Sequence, residues 1–130
     1  MSSLRQLVAL LLLSFAFAAP AIAQPIQPFS TAALKAAQAK GQAVFVDAYA
    51  SWCPTCRKQE PTIDALSKDP AFEKLVILRL DYDTQNVEKR ALGITQQSTL
   101  IAFDGDKETG RLVGVTDADQ IKKLAQSALH

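Results

Sequence analysis

Ala43-Val44-Phe45-Val46-Asp47-Ala48-Tyr49-Ala50-Ser51-Trp52-Cys53-Pro54-Thr55-Cys56 is the stretch on which the reading turns. Its first eight residues form an apolar run broken only by Asp47, the pattern of a central strand buried on both faces. Two cysteines separated by two residues follow at once. From Pro54 to about Ser67 the composition suits a helix, and Pro54 suits its first position, where a missing N–H would be unpaired anyway. A Cys-x-x-Cys that closes a strand and opens a helix has a mechanical logic. The first sulfur lies at the helix N-terminus, where unpaired N–H groups and the macrodipole favour the thiolate. Cys53 is therefore the expected nucleophile, and Cys56, three residues on, is placed to attack the mixed disulfide that Cys53 forms.

Outward from this motif the chain alternates. Ser30 or Thr31 caps a helix over about 32–40, which Gly41 ends. Gln24 to Phe29, with two prolines, reads as an irregular lead-in. A break at Asp69-Pro70 precedes a helical turn over 71–74. Leu75 to Asp81 is a second buried strand, a short helix covers 84–92, and Thr99 to Phe103 is a third strand. Asp104-Gly105-Asp106 signals a hairpin, with Gly110 to Val115 returning. Thr116 or Asp117 caps a last helix, in which Ile121, Leu124, Ala125 and Ala128 share one face. This order predicts an α/β fold, a central mixed sheet of about four strands flanked by helices on both faces.

The chain has 130 residues, 48% of them hydrophobic, enough for one domain with its own core. Lys and Arg total 14 and Asp and Glu 13, a formal charge of +1. That balance argues against nucleic acid or an anionic membrane surface as partner. Residues 1–23 read as a secretory signal peptide. Arg5 precedes the apolar run Leu7 to Phe17, and Ala21-Ile22-Ala23 offers small residues for cleavage after Ala23. The run is short for a membrane span, and Pro20 ends it. The working domain is then 24–130, exported to the periplasm. Both cysteines belong to it, and two thiols with a single His, the C-terminal His130, do not complete a zinc site. In an oxidising compartment the pair reads as a reversible dithiol and disulfide couple.

The run from Val46 to Cys56 resembles the active-site stretch of the thioredoxin family, and the resemblance extends from about Ala43 to Leu129. It is closest to exported thioredoxin-like reductants, among them the C-terminal domain of the inner-membrane thiol–disulfide transporter, to which Lys68-Asp69-Pro70-Ala71-Phe72 is also similar. The resemblance implies a thioredoxin-like fold, dithiol chemistry and protein disulfides or dithiols as substrates, with no cofactor expected. Reducing power is scarce outside the cytosol, so an exported reductant is expected to draw on an inner-membrane electron donor, and a monomer is expected. It places Asp47 as the buried acid behind the cysteines, with a carboxyl able to exchange a proton with Cys56. Arg79 stands where the family often has a lysine near that acid, either paired with Asp47 or solvated. Trp52, Pro54, Thr55, Ser98 and Thr99 fall in the docking surface around Cys53, and Tyr49 is a packing residue.

One position departs from the pattern. The family places a cis-proline opposite the cysteines, in the loop that pairs its backbone with a bound substrate strand. Here Gly93-Ile94-Thr95-Gln96-Gln97-Ser98-Thr99 has Ser98 in its place. A cis peptide before a residue other than proline costs about 3–4 kcal/mol, so a trans Gln97–Ser98 bond is expected. The Ser98 hydroxyl either donates to the Cys53 thiolate or is a neutral replacement. The function stays open at this point among three readings. These are a reductant or electron relay, a disulfide-forming oxidase or isomerase, and a metal-handling or cytochrome-maturation module that binds a soft ion such as Cu(I) through Cys53 and Cys56. Pro54-Thr55 supplies no histidine beside Cys53, which tips the balance toward the reductant.

Overall fold

The computed structural model describes residues 24–129, so the signal-peptide expectation for Met1–Ala23 lies outside the described residues. In chain order the elements are β1 (Gln27–Pro28), α1 (Thr31–Ala39), β2 (Ala43–Tyr49), α2 (Pro54–Lys68), a 3-10 turn (Pro70–Phe72), β3 (Leu75–Asp81), α3 (Asn86–Ala91), β4 (Thr99–Asp104), β5 (Lys107–Val113) and α4 (Ala118–Ser127). They build one five-stranded sheet in the order β1-β3-β2-β4-β5. β3 runs parallel to both β1 and β2, while β4 and β5 are antiparallel additions. The mixed sheet is as expected, with one strand more than the four read from the sequence.

The extra strand is the lead-in. Gln27 and Pro28 pair with Leu78 and Arg79 at the sheet edge. Two residues, one a proline, carry no alternating pattern, and an edge is the place where a strand tolerates a proline. The returning strand also begins earlier than Gly110, because the hairpin turn is short and pairing resumes at Asp104 and Lys107. Gly105 makes that turn possible with φ of 56° and its Cα side set against the Gly41 backbone.

The central run is apolar throughout because both faces of β2 are covered. Val44, Val46 and Ala48 join Phe29, Leu34, Leu78, Leu80, Ile94 and Ile101 on one side. Phe45 joins Ile63 and Leu66 of α2 and Ile121, Leu124 and Ala125 of α4 on the other. The period of two along a strand puts Asp47 on the face of Phe45, under α2. Local chemistry fixes the helix starts: Ser30 Oγ accepts the Ala33 N–H at 3.0 Å, and Asp117 Oδ1 accepts the Gln120 N–H at 2.9 Å. Pro61 lies inside α2 and removes the N–H that would reach the Arg57 carbonyl, yet the helix continues through it.

Phe45 has no exposed surface and sits between the sheet and two helices. Phe45→Ala is therefore expected to lower the unfolding free energy by about 3–5 kcal/mol, read from urea denaturation. A loss below about 1 kcal/mol would contradict this packing.

Candidate active site

β2 ends at Tyr49, and α2 begins five residues later at Pro54. Cys53 is the N-cap of α2, in extended conformation, and its sulfur accepts the Cys56 N–H at 3.1 Å. A sulfur here takes the role that a serine or aspartate oxygen takes at other helix starts. Negative charge on it faces free helix N–H groups and the positive end of the macrodipole. Both cysteines are free thiols and each is 1% exposed as a residue. With Ala50 they form a small cluster against which Tyr49 and Tyr82 pack.

Cys56 is different in kind. Its thiol donates to the Ala48 carbonyl at 3.9 Å. Burial pushes it up to about 11, hydrogen bonding and charge from Cys53 add to the rise, and backbone hydrogen bonds with Ala50 and Ser98 pull partly the other way. At neutral pH Cys56 is a thiol that must lose its proton before it can attack.

Asp47 lies one residue before the Ala48 carbonyl and is 1% exposed. Arg79, its register partner on β3, donates from Nε to Asp47 Oδ2 at 2.9 Å and from Nη1 to Glu60 Oε1 of α2 at 3.2 Å. Its guanidinium also stacks over the Tyr49 ring, 4.4 Å from the centroid. Of the two readings open for Arg79, pairing with Asp47 is the one observed, and Tyr49 packs as expected. Burial holds the Asp47 carboxyl above its ordinary value, outweighing the attraction and hydrogen bond of Arg79, and the Glu60 and Asp64 charges add to the rise. Burial works to lower Arg79, but the charges and hydrogen bonds of Asp47 and Glu60 prevail and hold it above the ordinary arginine value. Asp47 Oδ1 has no hydrogen-bond partner, so one lone-pair face of the acid stays uncommitted.

The rim around Cys53 is built from Trp52, Pro54 and Thr55. Trp52 is 53% exposed, and its Nε1–H is held by both carboxylate oxygens of Asp83 at 3.0 Å. Pro54 is exposed at the first position of α2, and Thr55 is half-buried beside it. Arg57 closes the turn by donating to the Ser51 carbonyl at 3.0 Å.

Ser98 is held in a conformation no proline can adopt. Its φ is 58°, whereas a proline ring fixes φ near about −65°. Among the described residues there is no cis peptide bond, so the Gln97–Ser98 bond is trans. The Ser98 hydroxyl donates to the Gln97 carbonyl at 2.5 Å, which commits it locally rather than to the Cys53 sulfur. The Ser98 N–H donates to the Ala48 carbonyl at 2.9 Å, joining the loop to β2. Thr99 is 1% exposed and donates to the Gln96 carbonyl at 2.7 Å, so its side chain braces the loop from within.

Several residues of the site escape sequence reading. Glu60 and Gln59 look like ordinary polar positions of a solvated helix, yet one shares Arg79 with Asp47 and the other is fully buried. The spacing from Cys56 was the available signal, since residues three and four further on return to its helix face. Asp83 is a turn residue by composition, and only the fold brings it to Trp52.

The thioredoxin family model matches residues 26–127. A thioredoxin of Chlamydia muridarum is 36% identical over 81 residues, covering 62% of this chain and 78% of that protein. A thioredoxin of Echinococcus granulosus is 33% identical over 95 residues, covering 73% and 86%. The crystal structure of Trxlp from Edwardsiella tarda superposes with a TM-score of 0.73 at 36% identity, over 76% of this chain and 96% of that one.

The buried acid has a stability signature. Its folded value lies above the ordinary 3.8. Asp47 therefore contributes stability that is fully present below the unfolded value and is lost as pH rises through the folded one. Asp47→Asn is expected to unfold at higher temperature than the parent at pH 8, with the difference shrinking as pH falls toward 4. Calorimetry across that range checks it, and a difference that grows on acidification would reverse the assignment.

Proposed function

The chain belongs to the thioredoxin family and is a thiol–disulfide oxidoreductase, and from that premise we propose that it works in the periplasm, reducing protein disulfides or relaying electrons to them. The observation that carries the reading is the asymmetry of the two cysteines. Both are buried, but the Cys53 sulfur caps α2 and accepts a helix N–H, whereas the Cys56 thiol is held up at about 11 by burial and by its neighbour Cys53. One sulfur is set to attack and the other to wait.

The reaction follows from that asymmetry. The Cys53 thiolate attacks one sulfur of a substrate disulfide, forming a mixed disulfide and releasing the other substrate sulfur as a thiolate that takes up a proton. Cys56 then gives its proton to Asp47, directly or through water, and attacks Cys53 Sγ. The mixed disulfide breaks, Cys53 and Cys56 are oxidised to a disulfide, and the substrate leaves as a dithiol. Asp47 is suited to the exchange because burial raises its carboxyl above the ordinary value, which favours taking up a proton, and Oδ1 is uncommitted. Electrons then return from a dithiol donor. For an exported protein that donor is a protein of the inner membrane, since reducing power is scarce outside the cytosol. The export layout of Met1 to Ala23 supports this placement, and a monomer suffices for every step.

Because Cys53 is nearly covered, attack favours disulfides that the surrounding surface orients. Trp52, Pro54, Thr55 and the loop at residues 93–98 supply that surface, and the loop backbone pairs with the substrate strand. Pro54-Thr55 offers no cation beside Cys53, in keeping with a reductant rather than a strong oxidant. A couple poised near the most oxidising thiol proteins, about −120 mV, would instead identify a disulfide-forming oxidase.

Cys53→Ser is expected to abolish reduction of insulin disulfides, and Cys56→Ser to accumulate mixed disulfides with partner proteins. Full activity in Cys53→Ser would overturn the mechanism. Asp47→Asn is expected to slow turnover at pH 7 by about 100-fold, with the deficit narrowing as pH rises and Cys56 ionises unaided. A deficit independent of pH would remove Asp47 from proton transfer.

A further inference from the structure

Gln59 is a fully buried amide that the mechanism above does not use. It lies on α2 three residues beyond Cys56, on the same side of the helix. Its Nε2 donates both hydrogens, to the Ser98 carbonyl at 3.2 Å and to the Val115 carbonyl at 2.9 Å. Its Oε1 is buried without a hydrogen-bond partner. A half-satisfied amide in a protein interior is costly, and an apolar side chain of the same length would fill the space more cheaply. What the amide uniquely supplies is the pair of donors.

Those donors act on a strained residue. Ser98 holds φ of 58°, which is unfavourable for any residue with a Cβ. It is tied from three directions. Its N–H reaches Ala48 of β2, and its carbonyl receives the Gly114 N–H at 3.1 Å as well as Gln59. The neighbouring carbonyls are also taken up: Gln96 by the Thr99 hydroxyl, Gln97 by the Ser98 hydroxyl and Thr95 by the Tyr82 hydroxyl at 3.1 Å. The loop is thus braced from within, and its one side-chain link to the active-site helix among these bonds is Gln59.

We propose that Gln59 is a positioning residue for substrate docking: it fixes Ser98 in its left-handed conformation, so that an extended peptide meets a preformed loop edge beside Cys53. The assignment rests on the reading that this loop pairs with the substrate strand. An ordered edge spares the substrate the entropy of ordering the loop, and that gain appears in KM for peptides rather than in the chemical step. A small disulfide that does not span the loop is far less sensitive to it. The backbone hydrogen bond from Ser98 that pulls Cys56 downward gives the tether a second route to the site.

The test compares Gln59→Met and Gln59→Leu with the parent chain, using a peptide disulfide long enough to cross the loop and the small disulfide dithiobis-nitrobenzoate. The ratio of kcat/KM for the peptide to that for the small disulfide is expected to fall about tenfold, the effect of one buried hydrogen bond, with the change in the peptide KM. An unchanged ratio in folded variants, or equal loss on both substrates, overturns the assignment. Hydrogen exchange at the Ser98 amide gives an independent reading: faster exchange in both variants is expected, and parental protection overturns the tether. A parent chain inactive toward the peptide would refute the functional reading instead, and the exchange result would still decide the role of Gln59.

Discussion

A helix must satisfy the first N–H groups of its backbone, and here the acceptor is the sulfur of Cys53. Much of the site follows from that substitution of sulfur for oxygen. The cap must stand outside the helix in extended conformation, and it follows a short turn after β2, closed by the Cys53 N–H on the Ala50 carbonyl at 3.1 Å. The residue three positions on, whose N–H it accepts, is Cys56, so the capping geometry also brings the second thiol to the first. Pro54 fits between them because the first helical N–H has no partner to lose. The redox pair is in this sense a helix start in which cap and partner are both cysteines.

Behind the pair the sheet supplies electrostatics. β2 is buried on both faces, and a carboxylate there is tolerated only with a counter-charge. Arg79 meets Asp47 because the two are register partners on parallel strands, and it meets Glu60 because α2 covers that face. The pairing does not cancel burial: Asp47 remains above its ordinary value. The acid is therefore positioned by Arg79 while keeping the raised value that proton exchange with a thiol near 11 requires.

The parts of this arrangement that are local were legible in the sequence. The run Ala43 to Ala50 announces a doubly covered strand because burial on both faces removes alternation. Cys53 and Cys56 declare a helix start because proline follows the first of them. The hairpin at Gly105 is written in its turn residues. What escaped is what depends on distant chain segments. Gln27–Pro28 becomes a strand only because β3 offers an edge to pair with. Gln59 reads as a surface residue until α2 is laid against the loop and the β5–α4 connection, and Ser98, though marked in the sequence as standing where a proline is usual, shows no sign of its positive φ until three hydrogen bonds hold it there. The choice between a paired and a solvated Arg79 needed the register of β2 and β3, which composition does not encode.

The backbone angle at Ser98 also bears on how this loop can change over time. Its φ of 58° lies about 120° from the value a proline ring imposes. A single serine-to-proline exchange would therefore collide with Ala48, whose carbonyl needs the Ser98 N–H that proline lacks. The two loop designs are separate solutions rather than neighbours on a mutational path. Passage between them requires the loop, its anchor on β2 and its donor on α2 to change together, or an intermediate with glycine at this position, where either hand of the backbone is open.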